Sequence, residues 1–207
     1  MPHRAGRTRW RLFAVILVPA VAACATVGIG MAQGVLAASF FISGRKFQVT
    51  ADSLTARGFS LYGMIDVTRK HELVPVMVSG FRHATVSGLC QSVVVDVPLL
   101  GTQTLRLTGG DHRLAEASDL FLDATVDAAG DANFTGLDIG VAQGALTKGP
   151  VRSGDRDSRF FDPDGVAQQA VSATLTDVRV NAVALSAGTF HIPDLRVRLQ
   201  PGNHACP

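Results

Sequence analysis

Ala173-Thr174-Leu175-Thr176-Asp177-Val178 places two alternating apolar positions, then a small polar pair, then a second apolar run in shifted phase. The same arrangement recurs as Ala84-Thr85-Val86-Ser87-Gly88-Leu89, Ala115-Glu116-Ala117-Ser118-Asp119-Leu120, Ala132-Asn133-Phe134-Thr135-Gly136-Leu137 and Phe190-His191-Ile192-Pro193-Asp194-Leu195. The apolar positions flanking each pair lie three apart. In a flat strand, where side chains alternate between faces, that spacing would throw the second run onto the wrong side. A bulge or corner at the pair keeps both runs facing the core. The expected fold is therefore all-β, with bent antiparallel strands in a sandwich, a barrel or a curved solenoid-like sheet.

Period-two runs elsewhere agree: Phe47 and Val49; Val93, Val95 and Val97; Leu105 and Leu107; Leu120, Leu122, Ala124 and Val126; Leu195, Val197 and Leu199. Short helices are expected only around Val166–Val171 and Arg113–Ala117. The interval from Ala115 to Ala132 equals that from Ala173 to Phe190, 17 residues each, and reads as a duplication, 115–146 and 173–200. Between the copies lies 148–165, rich in Gly, Pro and Asp. Its composition reads as a long solvated loop.

The amino end is of another kind. Arg4, Arg7, Arg9 and Arg11 precede Leu12 to Ala38, which carry no charge, and the small residues Val35-Leu36-Ala37-Ala38 follow the apolar core. That layout is a secretory signal cleaved after Ala37 or Ala38, or, because residues 12–38 are long enough to span a bilayer as an apolar helix, an uncleaved anchor. Either way the expected division is 1–38 as leader and 39–207 as an extracytoplasmic domain, secreted or anchored. Cys24 lies inside the apolar run, so it reads as membrane-embedded rather than lipidated.

Without its leader the chain has 15 Lys and Arg against 17 Asp and Glu, so its basic balance belongs to the leader. Such a body lacks the positive surface that coats nucleic acid. No glycine-rich phosphate loop opens a helix, so no nucleotide partner is expected. Cys90 and Cys206 remain, an even pair that outside the cytosol invites a disulfide.

Catalytic signatures are sparse. Asp155, Asp157, Asp162 and Asp164 offer hard oxygen ligands, but Arg156 and Arg159 interrupt them and the calcium-loop spacing fails. His71, His83, His112, His191 and His204 show no zinc spacing. Gly58-Phe59-Ser60-Leu61-Tyr62-Gly63 imitates a nucleophile elbow with the wrong spacing, which leaves Ser60 the nearest nucleophile candidate. The glutamates are Glu72 and Glu116 alone, both in polar segments. No cofactor or metal is expected, and the catalytic residues stay unassigned.

Taken together, Gly6-Arg7-Thr8-Arg9-Trp10-Arg11-Leu12-Phe13-Ala14-Val15, Phe47-Gln48-Val49-Thr50-Ala51-Asp52, Leu89-Cys90-Gln91-Ser92-Val93-Val94, Ala187-Gly188-Thr189-Phe190 and the terminal Cys206 resemble an exported, Streptomyces-type actinomycete family of unknown function. Its members are sometimes labelled cholesterol esterase. The resemblance implies an envelope location and a lipid-related role, and assigns no catalytic residue. Two functional expectations follow. One is a structural or apolar-ligand binding module of the envelope, with a membrane, lipid or protein partner. The other is a lipid-ester hydrolase, against which stand the missing elbow and the missing alternation of strands and helices.

Overall fold

The structure is a computed structural model that describes residues 46–68, 71–97 and 100–207. The leader reading of residues 1–38 lies outside them. Among the described residues no helix is long and apolar enough to cross a membrane.

Ten strands form one antiparallel sheet: β1 (Phe47–Val67), β2 (Leu73–Ser87), β3 (Leu89–Val97), β4 (Gly101–Gly109), β5 (Ala115–Ala128), β6 (Asp131–Thr135), β7 (Asp138–Ala142), β8 (Val166–Ser186), β9 (Thr189–His191) and β10 (Arg196–Pro201). Neighbours run β10-β4-β3-β1-β2-β5-β8-β6, and β1 pairs with β8 as well. The circuit β1–β2–β5–β8 therefore closes on itself, with β3, β4 and β10 extending as a flap, and the result is a folded sheet rather than a regular barrel.

The folding follows from the repeated hexad. Its fifth residue has a left-handed backbone at Gly88 (φ 60°), Asp119 (46°), Gly136 (62°), Asp177 (50°) and Asp194 (56°), where glycine or a short side chain that bonds locally is tolerated best. A sixth hexad, Leu54-Thr55-Ala56-Arg57-Gly58-Phe59, behaves alike at Gly58 (φ 69°). These residues bend the strand without shifting register, so the device is a corner and not an inserted residue.

The corners line up between strands. Pairing runs Arg57↔His83 then Phe59↔Phe81 in β1–β2, Arg57↔Ser172 then Phe59↔Ala170 in β1–β8, and Phe81↔Leu120 then His83↔Ser118 in β2–β5. Gly58, Arg82, Val171 and Asp119 are passed over, and they mark one crease across the sheet. A second crease passes Asp52, Asp177 and Gly88. β1 and β8 thus have a short central segment between two bends, β2, β5 and β9 run beside it, and Leu54, Ala56, Val86, Ala117, Ala173 and Phe190 point into the buried core.

A second order is superimposed. β6 pairs with β8 as Asp131↔Thr176, Ala132↔Leu175 and Asn133↔Thr174, and β9 pairs with β5 as Thr189↔Ser118, Phe190↔Ala117 and His191↔Glu116. Adding 58 residues to one partner and removing 58 from the other converts the first set into the second. The same operation exchanges Phe121↔Ser186 with Ala128↔Arg179 and leaves Ala124↔Ala182 unchanged. The two halves of this region are thus related by an approximate two-fold axis through the buried pair Ala124–Ala182.

Two local expectations are corrected. Val166–Val171 and Arg113–Ala117 are not helical: the first opens β8, and the second turns into β5. Ala167 and Ala170 are fully enclosed between β1 and the chain packed outside it. Pairing along the sheet overrides the modest helix preference of so short a run.

Candidate functional site

The inner face lines a cavity of about 230 Å³ that is partly open to solvent. Its walls come from every long strand: Val49 and Leu54 from β1, Phe81 and Val86 from β2, Leu120 and Leu122 from β5, Leu175, Val180 and Leu185 from β8, with Phe134 and Phe190 closing the sides. Phe59 stacks obliquely on Phe81 and Phe134 at centroid distances of 5.5 and 5.3 Å. Among the described residues the only polar lining side chains are Ser79 and Asp127, and Ser79 Oγ donates to Asp127 Oδ2 at 3.0 Å. Asp127, Ala128 and Ala129 are exposed at the end of β5 and form the rim. The Asp127 carboxyl turns inward from that rim, and burial raises it above the usual carboxylate range against the pull of the Ser79 bond.

On the outer face of β1, β2 and β5 lies the segment 143–165, which includes the loop 148–165 expected from the sequence; many of its residues face solvent while a few side chains pack inward. Its ends meet through Gln143 N–H to Gly165 O (2.8 Å) and Gly144 N–H to Pro163 O (2.9 Å), making a closed strap. Leu146, Val151, Phe160 and Phe161 pack on Tyr62, Met64, Val76, Val78 and Phe121. A short helix, α1 (Ser153–Arg156), lies within it. The strap crosses β1 and β2 where side chains are missing: a Cβ on Gly149 would stand 2.2 Å from the Phe59 carbonyl carbon, and one on Gly80 2.8 Å from the Pro150 oxygen. Gln169 Oε1 accepts from Thr147 N–H and Lys148 N–H at 2.8 and 2.9 Å.

Beneath the strap is a charged cluster. Arg152 grips Asp123 with two bonds, 2.9 and 2.5 Å, and lies over the Phe121 ring. Asp155 accepts from the Tyr62 hydroxyl at 2.7 Å, and that hydroxyl accepts from Arg152 N–H at 3.2 Å. Burial and the Asp155 bond push the Tyr62 phenol far above its ordinary range. Burial opposes the charge on Arg152, and the bonds to Asp123 more than offset it. Burial likewise pushes Asp123 upward while Arg152 pulls against it. Asp66, adjoining, is raised to about 6 by burial and by the Asp123 charge.

Ser60 belongs to this architecture. It is fully buried, and its hydroxyl donates to the Pro150 carbonyl of the strap at 2.5 Å. Among the acidic loop residues Asp155 is committed to Tyr62 and Arg152, and among the described residues no three His, Cys, Asp or Glu gather closely enough to share a metal ion. Glu72 sits before β2 and Glu116 on β5, and neither lines the cavity. Of the histidines, His191 stands opposite Glu116 and His83 opposite Ser118, both exposed, His71 and His112 occupy turns, and His204 lies in the tail. Cys90 and Cys206 are bonded, Cα–Cα 5.9 Å, which pins the tail to β3.

A family model described as a family of unknown function matches residues 43–207. The chain belongs to the DUF6230 family. The match takes in the whole folded sheet, the strap and the disulfide, so the cavity is built entirely from DUF6230 sequence, whereas residues 1–38 precede the matched region. No curated protein and no solved structure matches the chain.

The sequence reading missed the cavity, the Asp127 rim and the Arg152 cluster. The sixth hexad was the available signal for the first, hidden because Arg57 occupies the position where small residues stand in the other copies. For the cluster there was none, since Asp123 and Arg152 come together only when the strap closes.

Proposed function

We propose that residues 39–207 form an extracytoplasmic module that holds a single apolar chain, such as an acyl tail, inside the folded sheet. The observation that carries this reading is the cavity itself: an apolar interior of about 230 Å³ with its one polar pair, Ser79 and Asp127, at the rim. A well-packed core leaves few voids larger than a water molecule, so a void of this size invites an occupant. Apolar cavities of about 150 Å³ stay dry and accept benzene-sized guests. Sites for drug-sized ligands run to roughly 300–1,000 Å³, so one hydrocarbon chain suits this space and a sterol ester exceeds it. The Cys90–Cys206 disulfide fits an oxidising location, in keeping with the leader read in residues 1–38.

The hydrolase alternative finds no nucleophile at the cavity. Ser79 is bonded to a carboxylate with no histidine among the lining residues, and Ser60 is sealed under the strap.

The test is lipid extraction and mass spectrometry of the full chain purified from its native envelope, followed by displacement of a bound fluorescent fatty acid analogue. Wild type should release a stoichiometric single-chain lipid, and Leu175→Trp, which fills the cavity from β8, should lose the analogue while keeping its unfolding midpoint within a few degrees. Lipid-free protein that also fails to bind the analogue would overturn the reading.

A further inference from the structure

The flap of β3, β4 and β10 carries a basic groove on the face away from the cavity. In the β4–β10 register Arg198 stands directly opposite Arg106 and Arg196 opposite Thr108, so three guanidinium groups rise from two adjacent strands. Like charges directly opposed in an antiparallel pair are unfavourable and are normally avoided. Little carboxylate charge relieves them among the described residues. Among the described residues neither Arg106 nor Arg198 has an acidic partner within 4 Å, and Arg196 reaches only Asp111, at 3.9 Å between exposed side chains. Arg106 Nε points at Cys90 Sγ, 3.2 Å away.

The opposite wall is equally fixed. Thr104 Oγ1 donates to Gly202 O at 2.6 Å and accepts from His204 N–H at 3.0 Å, while Cys206 N–H donates to Ser92 Oγ at 2.9 Å. With the disulfide, these bonds lay the carboxyl-terminal tail along β3 and β4 and bring His204 to the groove. The result is a cleft of about 350 Å³ lined by Arg106, Thr108, Arg196, Arg198, Gln200 and His204, with no acid in its lining. In a body with more acids than bases, this concentration of positive charge is local.

We propose that this groove binds a phosphoryl group. Planar guanidinium forks match the oxygens of phosphate two at a time, and a doubly charged phosphoryl anion neutralises an opposed arginine pair better than a single carboxylate does. Thr108 of β4 adds a hydroxyl to the cleft and the tail sets His204 at its side, with Nε2 3.1 Å from the Pro201 carbonyl, and too little basic surface lies beyond to follow a nucleic acid backbone. A free phosphate and the singly charged phosphodiester of a lipid headgroup share the pair of non-bridging oxygens that a guanidinium fork grips, and differ in charge.

The experiment is calorimetric titration of the full chain in neutral detergent with inorganic phosphate and, separately, with soluble dihexanoyl phosphatidylglycerol. Saturable binding of the first assigns the groove to free phosphate; saturable binding of the lipid alone assigns it to a headgroup. Either should weaken about tenfold or more in Arg198→Ala and again in Arg196→Ala/Arg198→Ala, and weaken with added salt. Lys148→Ala, a change in a cation remote from the flap, should leave it unchanged. Absence of saturable binding to both ligands overturns the proposal, as does equal binding by the double variant with an unaltered unfolding midpoint.

Discussion

Arg152 is the residue on which the strap depends, because its guanidinium is the counter-charge for a nearly inaccessible Asp123. Removing one partner of such a pair strands the other without compensation, at about 3–5 kcal/mol. Arg152→Ala is therefore expected to lower urea stability by that order, whereas Asp123→Asn/Arg152→Met should recover much of the loss. Asp66 acts in the opposite sense. Its carboxyl is raised from 3.8 to about 6 in the folded protein, so the folded state holds that proton more tightly than the unfolded chain does. Its contribution is complete below pH 3.8 and is lost as pH rises through about 6. Asp66→Asn is expected to flatten the stability profile across that window and to raise the unfolding midpoint above wild type at neutral pH, as followed by thermal melts at several pH values.

At the scale of the element, the hexad explains why the strands bend where they do, and it separates two classes of corner. Gly88 is left-handed and its missing Cβ would fall 2.1 Å from an Asp52 oxygen at the end of an exposed side chain that can swing aside, so Gly88→Ala should cost about 1–2 kcal/mol, mostly backbone strain. Asp177 occupies the same backbone state with a side chain already accommodated, so Asp177→Gly should stay within about 1 kcal/mol of wild type in denaturant titrations. Five of the corners were legible in sequence because alternation broke at a small residue in each. Arg57 concealed the sixth. The strand character of Val166–Val171 was not legible, since Ala and Gln favour helix and only the partner strand β1 decides otherwise. The inward packing of Leu146, Val151, Phe160 and Phe161 from the segment 143–165 was equally hidden, because Gly, Pro and Asp mark irregular backbone in the same way whether its side chains pack or not.

For the molecule as a whole, the disulfide links residues 116 apart in sequence, from the sheet to the final turn of chain. In the chain-entropy account a loop of that size contributes up to about 4–5 kcal/mol, so Cys90→Ser/Cys206→Ser should be weakened by a comparable amount, measured by equilibrium denaturation against the oxidised parent. The hydrophobic pattern already fixes strand register here, since a one-residue slip would carry each core side chain to solvent. The aligned creases fix it a second time. A slipped strand would set its left-handed residue against flat backbone on both sides, and the error would be felt by every neighbour in the circuit. Misassembled forms of this chain are thereby penalised geometrically as well as chemically, and a protein with long, repetitive strands gains a safeguard against pairing with the wrong copy of its own motif.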